Sequence, residues 1–227
     1  MVVGIIGAME IEIENLLKHM ANIAVEKISG VDYNIGTVGK VKVVAAVCGI
    51  GKVNAAMCAQ TMCIKYSPDY LLNIGVAGSL SKELKVGDLV VASSVVQHDI
   101  DSTQLGVPLG LIPEVDAVGI KCAEKLTGIL SEFDDVKHGV IATGDQFVWQ
   151  KERKDFIVEN YQAVATEMEG GSIGQVCYLN DVGFIVIRCI SDNADSDSDA
   201  DFEKYLEETA HKPINLVLRL LSRLGPH

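Results

Sequence analysis

Three carboxylates draw attention by where they sit: Glu12 in G-A-M-E-I-E, Glu169 in T-E-M-E-G-G and Asp192 in C-I-S-D-N. Each comes soon after a short apolar run that reads as a β-strand, so each falls where a strand ends and the chain turns. Carboxyl groups gathered that way can act as general acid and general base, or place negative charge beside a cationic reaction centre. Singly, each has a plainer explanation. Glu12, with Glu10 and Glu14, suits the first turn of a helix, Glu169 suits the start of another, and Asp192 after Ser191 suits a turn cap. The trio becomes informative only if the fold brings the three strand ends together. Motifs for other chemistry fail on required residues. C-G-I-G-K-V has Ala46 where a phosphate loop needs its first glycine, and Val53 where it needs Ser or Thr. G-I-G-K-V-N lacks the third glycine of a dinucleotide fingerprint. Asp195, Asp197 and Asp199 begin like a calcium loop, but Ala200 and Leu206 replace the glycine and the bidentate Glu, so a solvated acidic loop is expected. There is no G-x-S-x-G elbow for serine hydrolysis.

The elements that must position these residues follow from periodicity. A strand over residues 2–6 leads into a helix carrying Ile13, Leu16, Leu17 and Met20. A hairpin over 33–38 and 41–47 precedes a helix from 52 to about 66, broken by Ser67-Pro68-Asp69. Then come a strand over 70–74, the loop G-V-A-G-S and a β-rich run over 88–96. Residues 98–113 lack periodicity and read as a long loop that serves function or covers an interface. The second half predicts a helix at about 115–130, a strand at 136–142, a helix at about 151–159 and a strand at 163–166. A helix at about 170–178, a strand at 184–190 and an amphipathic helix at about 202–224 complete it. This alternation predicts one α/β domain over residues 1–227, with a central mixed, mostly parallel β-sheet flanked by helices on both faces. In such sheets ligands bind beyond the carboxyl ends of the strands. Here those ends read G-A-M-E, C-G-I-G, N-I-G-V-A-G, T-G-D-Q-F, T-E-M-E-G and C-I-S-D, rich in glycine and carboxylate.

Composition narrows the partners. The 227 residues are 48% hydrophobic, enough to bury a substantial core, and 19 Lys plus Arg against 31 Asp plus Glu give a net charge of −12. That sign repels nucleic acid and anionic membrane surfaces. The longest apolar runs fall far short of the roughly 20 residues of a membrane span, and the N-terminus lacks the basic start of a signal peptide, so a cytoplasmic location is expected. The six cysteines sit mostly in apolar segments without C-x-x-C or His spacing, and read as small buried hydrophobes; no metal site or cofactor is expected.

The segments G-I-I-G-A-M-E-I-E (4–12), C-G-I-G-K-V-N-A-A (48–56), N-I-G-V-A-G-S-L (73–80), T-G-D-Q-F-V (143–148), T-E-M-E-G (166–170) and R-C-I-S-D-N-A-D (188–195) occur in the order and spacing of one family. The chain resembles the 5'-methylthioadenosine/S-adenosylhomocysteine nucleosidases of the nucleoside phosphorylase and nucleosidase superfamily, from about Val3 into the last helix. The resemblance implies cleavage of an N-ribosidic bond to an adenine base. Asp192 would be the general acid at adenine N7, and Glu12 would activate the attacking water with Arg188 helping to position it. Glu169 would hold the ribose hydroxyls beside an oxocarbenium-like transition state. Met168 would pack on the sugar, Phe147 would stack on adenine and the Val148 backbone would bond the purine edge. Val76, Ala77, Gly78 and Ser191 would complete the wall. Met9, Ile50 and Phe202 would form the apolar 5' pocket. Loop 98–113 would cross a homodimer interface and finish the neighbouring site with Leu105 and Pro113. Val76 departs from a serine common in these nucleosidases, and Ser102 and Leu105 from bulkier or more apolar residues; these departures bear on substrate preference.

Two other classes stay in view. A phosphorylase of the same fold would need cationic partners for phosphate, and this chain has Asn73 where bacterial phosphorylases carry an arginine, with an acidic first loop. A nucleoside-binding protein without turnover would not need the full carboxylate trio. Within the class, another 5'-modified adenosine such as aminodeoxyfutalosine is an open substrate.

Overall fold

The computed structural model describes residues 1–113, 115–195 and 198–224. Asp197 of the expected acidic loop and the side chain of Asp199 lie outside the described residues. The chain order is β1 (Val2–Gly7), α1 (Glu10–His19), β2 (Ala21–Ile28), β3 (Val31–Val38), β4 (Val41–Val47), α2 (Lys52–Tyr66) and β5 (Tyr70–Ser79). After these come β6 (Leu89–Gln97), β7 (Gly119–Lys121), α3 (Glu124–Leu130), β8 (Val136–Thr143) and α4 (Lys151–Tyr161), and then β9 (Ala163–Glu167), α5 (Gly170–Leu179), β10 (Gly183–Asp192) and α6 (Ser198–Leu224).

The sheet is mixed, and its centre is parallel: β1 lies between β4 and β5, and β5 also pairs β10 in parallel. The early hairpin β3–β4 is antiparallel and carries β2 as an edge strand. On the other side β10 pairs β6, β6 pairs β8, β8 pairs β9, and β9 returns to β5, so β5, β10, β6, β8 and β9 close into a circuit. Closure brings the ends of β5, β9 and β10 together, with Gly78 facing both Thr166 on β9 and Asp192 on β10.

Helices cover both faces. A Cβ at Gly4 of β1 would meet Met62 of α2, and one at Gly7, of opposite parity, would meet Ile13 of α1. Helix α1 packs with α6, and α2 with α5. The apolar face of α6, with Ala210, Ile214, Val217, Leu220, Leu221 and Leu224 buried, lies on β5 and β10. Helix α1 places Glu10 and Glu12 in its first turn and Lys18 and His19 in its last, matching its dipole.

Three expectations change. The strand β2 was unforeseen because it is exposed along nearly its whole length, so no alternation marks it. The helix expected at 115–130 is shorter: residues 119–121 pair with β6 as β7, and α3 begins only at Glu124. Val115, Cys122 and Leu126 are all buried, but their helix-like spacing arises across a strand and a turn. The expected loop G-V-A-G-S belongs to β5, which runs on to Ser79 to meet β9 and β10. Loop 98–113 is irregular as expected, apart from a short 3₁₀ turn at Thr103–Leu105 and a bridge from Ile112 to Ala117.

Candidate active site

Glu12 stands in the first turn of α1, whose entry is set by the G-A-M turn after β1. Its Oε2 accepts hydrogen bonds from the backbone N–H groups of Ala8 (2.7 Å) and Met9 (3.0 Å), and Oε1 accepts from the N–H of Val76 on β5 (3.1 Å). Burial raises its pKa above the ordinary carboxylate value, while the Arg188 guanidinium and the three N–H donors pull it back. The bond to Val76 uses backbone, so the valine that replaces serine at 76 still supplies it. Contact between β5 and Glu12 needs Gly75: a Cβ there would lie 2.4 Å from both Glu12 Oε1 and Arg188 Nη1.

The T-E-M-E-G-G stretch divides its carboxylates between two jobs. Glu167, at the end of β9, accepts from the N–H groups of Glu169 (3.1 Å) and Gly170 (2.7 Å), and so caps α5. It also accepts from the Thr143 hydroxyl and the Arg188 guanidinium. Glu169 accepts from the N–H of Gly51 (2.9 Å), the residue that opens α2, and faces Arg188 Nη2 at 3.4 Å. Burial and the neighbouring Glu167 charge push the Glu169 pKa up to about 7. Glu169 stands at the start of α5, but the N–H groups of Gly170 and Gly171 bond Glu167 and Thr143 rather than the Glu169 carboxylate.

Arg188 is buried to 1% exposure beneath this wall, so it does not line the cleft directly. Nη2 donates to Asn73 Oδ1 (2.5 Å) as well as to the two glutamates. There its positive charge faces Glu167, Glu169 and Glu12. Asn73 is anchored in turn by donating to the Ile6 carbonyl (3.0 Å).

Asp192 ends β10, where the register against β5 shifts between Ile190 and Asp192, so that Ser191 is an extra residue and the following side chain is re-aimed. Its Oδ1 accepts from the Ala194 N–H (2.8 Å) and its Oδ2 from the Ser191 hydroxyl (2.8 Å). The turn-cap explanation is therefore true of Asp192, and it also lines the cleft.

That cleft holds about 360 Å³. Its wall brings together the predicted Met9, Glu12, Ile50, Val76, Ala77 and Gly78 with Phe147, Val148, Met168, Glu169, Ser191, Asp192 and Phe202. Phe147 is 45% exposed and meets Phe202 edge to face, their centroids 5.9 Å apart, so two rings from distant segments flank one mouth. Leu105 and Pro113 stay outside the cleft of their own chain, and Leu105 is 82% exposed. Sequence reasoning missed Ala8, Gln146, Thr166 and Glu167 on the wall. All four sit in or beside the quoted motifs, which was the available signal. No lysine or arginine lines the cleft among the described residues.

A sheet of this topology with acids at converging strand ends defines a class, and residues 2–222 match the Phosphorylase superfamily. A 5'-methylthioadenosine/S-adenosylhomocysteine nucleosidase from Shewanella sediminis is 38% identical over 99% of this chain and 100% of its own length. The chain belongs to the 5'-methylthioadenosine/S-adenosylhomocysteine nucleosidase family. A Helicobacter pylori MTAN mutant solved with 5'-methylthioadenosine in its active site superposes with a TM-score of 0.94 at 36% identity, covering 97% of this chain and 98% of that one. The native futalosine hydrolase of Helicobacter pylori superposes equally well, with a TM-score of 0.94 at 37% identity over 98% of this chain and 97% of that chain.

Proposed function

We propose that this protein hydrolyses the N-ribosidic bond of 5'-methylthioadenosine and S-adenosylhomocysteine, releasing adenine. The observation that carries the reading is an apolar cleft with carboxylates from α1, β10 and the β9–α5 turn on its wall and, among the described residues, no cation there. Bond cleavage leaves positive charge on the sugar and negative charge on adenine. Asp192 protonates N7 of the leaving base, and Glu12 takes a proton from water as its oxygen bonds the anomeric carbon. The turnover is complete once Glu12 gives up that proton and Asp192 regains one from solvent. Glu169 accepts from the ribose hydroxyls and sets negative charge beside the oxocarbenium-like centre. Met168 packs on the sugar, Phe147 stacks on adenine, the Val148 backbone bonds the purine edge, and Met9, Ile50 and Phe202 receive the 5' thioether. Water is the nucleophile because, among the described residues, the guanidinium nearest the carboxylates, that of Arg188, lies below the wall and is held by Glu167 and Asn73, so a phosphate dianion would meet carboxylates unpaired.

The likeness to the futalosine hydrolase supports a second substrate class within the same reaction. Adenine release should be measured from 5'-methylthioadenosine, S-adenosylhomocysteine, adenosine and aminodeoxyfutalosine, with and without inorganic phosphate. Phosphate-independent release from the two thioethers is expected. A strict need for phosphate would make the protein a phosphorylase, and release confined to aminodeoxyfutalosine would reassign its substrate.

The same reading includes a homodimer in which Leu105 and Pro113 of loop 98–113 finish the neighbour's 5' pocket. It is supported by the exposure of Leu105, of Ile50 just before α2, and of Val53, Met57 and Ile64 on α2, apolar side chains that one chain leaves uncovered. A cytoplasmic location is supported by six free, buried thiols, and cell fractionation tests it.

A further inference from the structure

Glu167 has no part in the chemistry above, yet it lies at the centre of the buried polar cluster. Its two oxygens collect four donors: the Thr143 hydroxyl, the N–H groups of Glu169 and Gly170, and Arg188 Nη2. Glu169 has one backbone donor, Gly51, and the same Nη2 at 3.4 Å. Among the described residues, the Arg188 hydrogen bonds to Asn73, Glu167 and Glu169 run through that nitrogen, whose two hydrogens cannot serve all three well at once. The distances rank the partners, with Glu167 nearest and Glu169 farthest. One guanidinium thus faces three carboxylates, and the one left undercompensated is the one facing the sugar site.

We propose that Glu167 is a positioning residue for glycosidic cleavage: by capturing Arg188 it keeps the guanidinium off Glu169, so the sugar-binding carboxylate remains an open acceptor for the ribose hydroxyls rather than half of a closed ion pair. This rests on the function proposed above. The groups facing Glu169 are Glu12 from α1, Cys48 after β4, Glu167 from β9 and Arg188 from β10. Burial pushes the Cys48 thiol up and keeps it neutral, and Lys52 at the start of α2 is turned into an ion pair with Asp99 at 2.6 Å. Beside its burial, the charges that act on Glu169 are therefore those of Glu167, Arg188 and Glu12. The rise in the Glu169 pKa, with the Glu167 charge as its second cause, agrees with that arrangement.

Glu167→Gln removes the charge while keeping an oxygen for the α5 amides. The test is a ¹³C NMR titration of the glutamate carboxyls in the substrate-free protein, with the Glu169 resonance identified by its loss in Glu169→Gln. In Glu167→Gln the Glu169 midpoint is expected to fall by about one pH unit or more as Arg188 turns to it. The acidic limb of kcat/KM for adenine release should move by the same amount, with a raised KM. An unchanged midpoint in folded Glu167→Gln overturns the proposal whatever the enzyme turns over. Failure of the wild type to release adenine overturns the functional reading instead, and is read separately. If Glu167→Gln does not fold, the wild type still decides: the Arg188 side-chain ¹⁵N resonances should hold steady while Glu169 titrates. A shift to a new environment with the Glu169 midpoint would show the guanidinium transferring to Glu169 and would refute the proposal.

Discussion

Replacing Gly75 by alanine adds one methyl against Glu12 and Arg188. Its Cβ would stand 2.4 Å from Glu12 Oε1 and 2.4 Å from Arg188 Nη1, far inside contact distance. The backbone at 75 is not in the left-handed region, so the cost is steric. Neither neighbour can swing aside freely, because Glu12 is tied by three N–H donors and Arg188 by Asn73 and two glutamates. Forcing a methyl into a close-packed interior costs about 1–3 kcal/mol. Pulling Glu12 from the Val76 N–H strips a donor from a buried carboxylate, for about another 1–3 kcal/mol. A total of about 2–6 kcal/mol corresponds to a fall in Tm of roughly 5–20 °C for a domain of this size. Because a displacement of about 1 Å at a catalytic group can cost 10²-fold, kcat should fall by about that factor in the protein that remains folded. Calorimetry and adenine release read the two effects on one sample. Gly128→Ala is the control, since nothing lies within 4 Å of a Cβ there and the residue sits inside α3. Gly75→Ala with wild-type Tm and kcat would show that Glu12 is not held against β5, and would refute the base assignment built on that contact.

Asp192→Asn should abolish most turnover, by about 10²-fold or more, while binding of a substrate analogue measured by calorimetry largely survives; unchanged turnover removes Asp192 as the acid. Glu169 gives a pH signature. Its folded pKa of about 7 exceeds the ordinary 4.5, so the folded state keeps a proton that the unfolded chain has lost between those values, and stability falls as pH rises through that window. The difference amounts to about 3 kcal/mol above pH 7. Glu169→Gln should therefore stabilise the protein relative to wild type at pH 8 and have little effect at pH 4.5 in denaturant titrations, whereas equal effects at both would contradict the shift. Burial and Arg153 lower the His98 pKa to about 4, so its contribution is lost as pH falls from 6.5 and runs the opposite way; it is common to both proteins and cancels in the comparison. Leu105→Asp should dissociate the dimer or raise KM for the thioether substrates, with light scattering and kinetics as readouts; a monomeric wild type with full activity would end the shared-site reading.

The elements with clear periodicity were legible in the chain: β1, β3, β4, α2 and the α5–β10 run lie close to their expected bounds. What escaped has physical causes. An edge strand with both faces in solvent, such as β2, carries no alternation, and Val115, Cys122 and Leu126 mimic a helix because burial alone does not record the path between them. For the site, residue types at strand ends pointed to Glu12, Glu169 and Asp192, and the resemblance pointed to the apolar residues; the structure brings both sets onto one cleft. Neither indicated that Arg188 would lie below the wall, or that Glu167 rather than Glu169 would cap α5. Those outcomes depend on pairings between residues far apart in sequence, such as Arg188 with Asn73, which local pattern cannot express.

The closed circuit of strands also bears on how the chain reaches its native state. Strand β10 comes late in the chain, yet it joins β5 to β6 and carries both Arg188 and Asp192. During synthesis the β1–β4 wing can form early from local pairings, while the ring must wait for a strand more than a hundred residues downstream of β5. A nascent chain stalled before residue 183 would present the unfilled sides of β5 and β6 to its surroundings, with Glu12 and Glu167 already made but without their guanidinium. Closure of the strand circuit and assembly of the proposed site are thus one late event, so a prematurely terminated product is expected to lack activity and to be prone to associate.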